Sequence, residues 1–196
     1  MKDHENIMEV AGLQPDFMGF IFYDRSKRYV GKDFILPDNF PDTIRRVGVF
    51  VNETQEEIQR AGKRLNLNYI QLHGDESPEF CQTLSSDYKI IKAFQIDDAF
   101  DFEITKDFEP FCSFFLFDTP GKNYGGTGIT FNWNKLREYR GSIPFLLSGG
   151  LSPKNFPEAI SFEHPLLAGL DLNSGFEDRP GWKNKNKLAI INSVKQ

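Results

Sequence analysis

Asp118 closes the run 114–118 (FFLFD), whose other four members are apolar. A carboxylate on such a border loses water, its pKa rises, and it can serve as a general acid; equally, it can open the following turn by bonding its own backbone. Asp171, inside the run 166–172 (LLAGLDL), admits the same two readings. His73 ends the run 69–73 (YIQLH), either as a proton carrier or as a hydrogen-bonded structural ring. Arg28 stands in a basic cluster with Arg25 and Lys27. Its planar fork suits a carboxylate, though most loop arginines are simply solvated.

Two glycine-bearing turns complete the set. Gly149 and Gly150 follow the run 144–149 (PFLLSG), and Ser174 and Gly175 follow Asn173 after the last run. Glycines there let backbone N–H groups approach a phosphate, or merely supply the positive φ of a tight turn. A third cluster, 124–128 (YGGTG), lacks the Lys and Ser/Thr of a P-loop and reads as a mobile loop over a site. Neither cysteine stands among these groups: Cys81 falls inside a helix expected after Pro78, and Cys112 falls before an apolar run. Two cysteines without paired spacing give no disulfide framework and fit a reducing compartment.

What positions these residues is a repeat. Apolar runs at 17–22, 47–51, 69–73, 89–94, 114–118, 144–149 and 166–172 alternate with helical patterns. Most runs are continuously apolar, as strands buried on both faces are. Helices are expected at 5–11, 54–65 (Thr54 and Glu57 forming a capping box), from Ser77-Pro78 onward, and at 132–139, 152–160 and 184–194. The stretch 97–110 is weakly helical and 31–42, with two prolines, is irregular. Strict alternation implies an α/β fold with a parallel sheet, in which ligands bind at the carboxyl ends of strands. No linker divides residues 1–196, so one domain is expected. The count is seven strands, led by a helix with no strand before it, in a chain of 196 residues. A closed eight-stranded β/α barrel usually takes ~250 residues.

Net charge is −5, from 23 Lys and Arg against 28 Asp and Glu. That balance argues against nucleic-acid or membrane-surface binding and leaves a small anionic ligand open. No apolar run is long enough to cross a membrane, and the polar start argues against a signal peptide, so a cytoplasmic location is expected.

Taken together, the strand ends resemble those of the phosphoribosylanthranilate isomerase family of tryptophan biosynthesis. The matching segments are 18–23 (MGFIFY) with 26–30 (SKRYV), 47–52 (VGVFVN), 70–78 (IQLHGDESP), 92–94 (KAF), 117–119 (FDT), 125–128 (GGTG), 147–151 (LSGGL) and 171–177 (DLNSGFE) with Pro180-Gly181. They run from end to end of the chain. The resemblance implies a (β/α)8 TIM barrel and an Amadori rearrangement of N-(5-phosphoribosyl)anthranilate to a 1-deoxyribulose phosphate, an aminoaldose becoming an aminoketose without metal or other cofactor. It assigns the general acid to Asp118. The substrate's phosphate would lie against Gly149, Gly150, Ser174 and Gly175, its anthranilate carboxylate against Arg28, with His73 and Asp171 lining the same mouth.

One departure matters. The family's general base is a cysteine at the end of the first strand, in a Lys-x-Cys-Gly pattern followed by residues similar to 1–7 of this chain. Neither Cys81 nor Cys112 matches that position. The expectation is therefore a barrel with its first strand missing, seven strands, and unpaired edges at the 17–22 strand and the last strand that invite association. Activity is expected to be weak or absent for want of the base. The alternative is a non-catalytic protein of the same fold that binds a phosphoribosyl ligand or a partner.

Overall fold

The computed structural model describes residues 1–120 and 132–193. The loop at 124–128 lies outside the described residues. Helix α1 (His4–Ala11) comes first, then β1 (Phe17–Ile21), β2 (Arg45–Phe50), α2 (Gln55–Leu65), β3 (Tyr69–Leu72), α3 (Pro78–Ser85), β4 (Lys89–Gln95) and β5 (Phe114–Asp118). After the undescribed segment follow β6 (Phe145–Leu147), α4 (Phe156–Ser161), β7 (Leu167–Leu170), β8 (Glu177–Arg179), β9 (Trp182–Lys183) and α5 (Lys185–Leu188).

Strands β1 to β7 form one parallel sheet in chain order, each hydrogen-bonded to the next. Seven strands are thus present as expected, curled in a partial barrel whose edges, β1 and β7, do not pair with each other among the described residues. β3 is buried at every position and β4 at its five central ones, as expected for mostly apolar runs, with Gln71 and Lys92 the buried polar members. β7 departs from that pattern: its four residues are partly or fully exposed, the mark of an edge.

The register sorts side chains onto two faces. Val47, Tyr69, Ile91, Ala93 and Leu116 make a small inner core, bordered by Phe17, Phe114 and Leu146. The opposite face packs against the helices in a larger core rich in phenylalanine, where Phe117 lies 5.0 Å from Phe145 and 5.2 Å from Tyr139 between ring centroids. Burying each such ring stabilises the fold by ~1.5–3 kcal/mol.

Local signals explain the helices that formed as read. Thr54 caps α2 by accepting from the Glu57 N–H, and Asn66 ends it in a left-handed turn at φ 48°. Ser77 caps α3, with Pro78 in its first turn. Segment 31–42 contains no regular element, as expected.

Four expectations need correction. The helix expected at 132–139 is a 3-10 helix, Trp133–Glu138, and the weak pattern at 97–110 is another, Phe102–Phe108. The helix expected from 152 begins at Phe156, because the Asn155 side chain accepts the Ser152 N–H and donates to the Gly150 carbonyl, holding 150–155 as a turn. The helix expected at 184–194 is the four-residue α5 followed by a 3-10 stretch, Ala189–Ser193. The hairpin β8–β9 had no counterpart in the sequence reading; it turns at Pro180-Gly181, where Gly181 has φ +84°.

The hairpin is tied to the start of the chain. The Asn6 side chain accepts from the Lys183 N–H at 2.7 Å and donates to the Lys183 carbonyl at 2.8 Å, and Asn6 is fully buried.

Candidate active site

Strand periodicity builds the site. In β5, Phe114 and Leu116 face the inner core, so Asp118 continues that face at the carboxyl end. In β3, Tyr69 sets the parity that turns Gln71 and then His73 inward. Leu146 does the same for Ser148, and its partner Gly169 for Asp171. Four strands therefore aim polar groups into one mouth.

His73 Nε2 and Asp118 Oδ2 lie 3.2 Å apart, each side chain 12% exposed. The approach is off the hydrogen-bond axis, so Nε2 is buried without a hydrogen bond. The Gln71 amide nitrogen sits 3.0 Å from His73 Nδ1. With Gln71 donating, the ring proton is on Nε2, facing the Asp118 carboxylate. The other Asp118 oxygen, Oδ1, accepts the Thr119 N–H at 2.8 Å. The turn-opening reading of Asp118 thus holds for one oxygen, while the other faces the mouth.

The loop carrying His73 is braced from below. Glu76 accepts the N–H groups of Asn52 and Gly74, each at 2.9 Å, and the Lys92 ammonium at 3.1 Å. Lys92 also donates to the Gly74 carbonyl at 2.7 Å. Both charged side chains are almost fully buried. A cleft of about 470 Å³ opens beside this brace, and it touches the mouth only through His73.

Asp171 accepts from the Ser148 hydroxyl at 3.1 Å. Desolvation pushes its pKa above the ordinary value, against the nearby Lys183 charge, with the Asp118 charge adding to the rise. Gly149 and Gly150 have φ +85° and +63°. A Cβ on Gly149 would fall 2.9 Å from Asp118 Oδ1 and 2.6 Å from the Thr119 nitrogen, so the Gly149 backbone lies directly against Asp118. A Cβ on Gly175 would strike the Leu151 carbonyl and the Ser152 backbone. The two glycine turns thus pack together. The N–H groups of Gly149, Gly150, Ser174 and Gly175 donate to no described residue.

Arg28 lies at the same end but is engaged. Its Nε and Nη2 grip Glu177, with Nη2 to Oε2 at 2.7 Å. Lys183 donates to Glu177 at 3.0 Å and to Asn173 at 2.7 Å. Burial raises the Glu177 pKa, but the Arg28 and Lys183 contacts outweigh it and hold the group below its ordinary value. Burial lowers the Lys183 pKa despite Glu177.

The structure thus brings His73, Asp118 and Gly149 together, joins Ser148 to Asp171, and gathers Arg28 near the loop carrying Ser174. Gln71, Glu177 and Lys183 were missed by the sequence reading. Gln71 had a signal, a polar residue inside an apolar run, and Glu177 closed the matching segment 171–177 without being singled out; Lys183 had none. The two cysteines stay apart from the mouth, buried in the outer core. Their thiols face each other: contact with Cys112 lowers the Cys81 pKa, and the same contact, with burial, raises that of Cys112.

Comparison with known proteins agrees with this geometry. Residues 1–194 match the family model for N-(5'phosphoribosyl)anthranilate (PRA) isomerase. The N-(5'-phosphoribosyl)anthranilate isomerase of Parabacteroides distasonis is 47% identical, over 96% of this chain and 87% of that protein. That of Phocaeicola vulgatus is 44% identical, over 100% and 95%. The crystal structure of phosphoribosyl anthranilate isomerase from Thermotoga maritima superposes with a TM-score of 0.86 at 33% identity, covering 100% of this chain and 96% of that one. A further structure of the enzyme, in complex with reduced 1-(o-carboxyphenylamino)-1-deoxyribulose 5-phosphate, gives a TM-score of 0.83 at 31% identity over 100% and 96%.

Proposed function

The chain belongs to the N-(5'-phosphoribosyl)anthranilate isomerase family of tryptophan biosynthesis, and from that premise we propose how its residues divide the work. Asp118 is the general acid. It gives a proton to the ribose ring oxygen as the C1–O bond breaks and the nitrogen lone pair forms a C=N bond. A base then removes the proton on C2, the electron pair forms the C1=C2 bond of an enolamine as the C=N pair returns to nitrogen, and protonation at C1 with loss of the C2 hydroxyl proton gives the C2 ketone. The observation that carries this reading is the buried Asp118 carboxylate, placed against His73 on one side and the Gly149 backbone on the other. From there the carboxyl group faces the mouth with little access to bulk water, the placement that acid catalysis at the ring oxygen needs.

Gly149, Gly150, Ser174 and Gly175 receive the phosphate through backbone N–H groups that no described residue uses. Arg28 receives the anthranilate carboxylate, and Asp171 and His73 line the mouth between. The reaction calls for no metal or redox cofactor. We place the enzyme in the cytoplasm as a single domain.

The base is the weak point of the 196 residues. Cys81 and Cys112 are buried in the outer core, and the family's Lys-x-Cys-Gly segment has no match in the sequence. The Met1 nitrogen donates to the Gly19 carbonyl of edge strand β1 at 3.1 Å. A segment joined ahead of Met1 would therefore run along the open edge and bring its cysteine to the mouth; otherwise that edge is available to a second chain. Turnover of the 196-residue chain should fall short of the extended one by about 10²–10⁴-fold, the usual worth of a general base. The test compares steady-state isomerase rates of the chain with and without an added Lys-x-Cys-Gly strand. Equal rates would refute the assignment of the base. An inert extended chain that still binds the reduced product analogue would favour the second reading, a ligand-binding protein without catalysis, which the buried cysteines also support.

A further inference from the structure

A glutamate is an odd neighbour for a site that takes two anionic groups. Glu177 is nonetheless the most heavily bonded carboxylate at the mouth, with its side chain only 4% exposed. It accepts Arg28 Nε on both oxygens at 3.1 and 3.0 Å and Arg28 Nη2 at 2.7 Å. It also accepts the Lys183 ammonium at 3.0 Å and the Gly181 N–H at 3.2 Å. Guanidinium is planar, so fixing the Nε–Nη2 edge fixes the direction of the remaining nitrogen. That nitrogen, Nη1, donates to no described residue.

We propose that Glu177 is a positioning residue that aims Arg28 Nη1 at the carboxylate of the ligand. It acts through Arg28 and does not touch substrate. Lys183 completes the device: it offsets the Glu177 charge, leaving the cluster net positive, and its second bond, to Asn173 at 2.7 Å, joins the cluster to the loop bearing Ser174 and Gly175. The inference rests on the reading that Arg28 meets the ligand's carboxylate.

Calorimetric titration with two ligands separates the two ideas. One is reduced 1-(o-carboxyphenylamino)-1-deoxyribulose 5-phosphate; the other is the same compound without its carboxyl group. The unmodified chain should prefer the first. Glu177→Gln should weaken it by roughly ten- to hundredfold, the worth of a well-aligned charged hydrogen bond, while the des-carboxy compound changes little. In an Arg28→Ala background, Glu177→Gln should cause no further selective loss. Equal losses for both ligands, or tighter binding of the first, would overturn the proposal, since they would mean general support or competition for Arg28. If Arg28→Ala discriminates between the ligands and Glu177→Gln does not, the inference falls and the Arg28 assignment stands. If the unmodified chain binds both equally, both fall. Glu177→Asp, which keeps the charge but withdraws it by one methylene, gives the same comparison should Glu177→Gln fold poorly; a selective loss supports the proposal and an equal loss refutes it.

Discussion

Replacing Gly149 by alanine tests how closely Asp118 is held. Two costs arise. Gly149 has φ +85°, and an L-residue held in that region costs ~1–2 kcal/mol. The new Cβ would also sit 2.6 Å from the Thr119 nitrogen and 2.9 Å from Asp118 Oδ1. The nearer of these is backbone, which cannot swing aside, and overpacking of that kind costs ~1–3 kcal/mol. The expected destabilisation is about 2–5 kcal/mol, a large share of the ~5–15 kcal/mol that holds a typical domain together. Gly31→Ala supplies the internal control. Gly31 has φ +95°, but a Cβ there would meet nothing within 4 Å, so only the conformational cost applies. Urea unfolding of both variants isolates the packing component as their difference. Ligand affinity should fall with Gly149→Ala and hold with Gly31→Ala. Equal unfolding midpoints for the two variants would refute the claim that the glycine turn is pressed against Asp118.

Two other outcomes are expected. Burial raises the Asp171 pKa above 3.8, so the folded chain holds that proton more tightly than the unfolded one. The resulting penalty is absent below pH 3.8, grows as pH rises from there, and is complete above the raised folded pKa; Asp171→Asn should therefore gain stability relative to the unmodified chain as pH is raised from acid to neutral, and a pH-independent difference in Tm would contradict it. Asn6→Ala strips partners from the buried Lys183 N–H and carbonyl, at a cost of about 2–4 kcal/mol in chemical denaturation; a loss under ~1 kcal/mol would show that water replaces the amide.

The strands were legible because burial on both faces leaves a mostly apolar run, as in 114–117 and 145–147. The place of Asp118, His73 and Asp171 at or near the carboxyl ends of the runs was also enough to put them at one end of the sheet. The 3-10 helices were not separable from α-helices, since segments of six or seven residues such as 133–138 carry too few turns to fix a period. The β8–β9 hairpin has strands of three and two residues, too short for any alternation, and only Pro180-Gly181 marks its turn. Glu177 was illegible for another reason. Its partner, Arg28, is 149 positions away, and no local spacing encodes a pairing made across the whole chain.

The Asn6 clasp has a consequence in time. Helix α1 leaves the ribosome well before Lys183 does, so its buried amide must wait for its partner. Until then the Asn6 side chain has only water or transient partners, and Arg28 has no Glu177 to hold it. Closing a loop of this length adds an entropic barrier of its own. The half-made protein can lay down its parallel strands in order as they emerge, but the corner of the mouth that holds Arg28 is assembled only when the β8–β9 hairpin reaches back to helix α1 and the loop after β1.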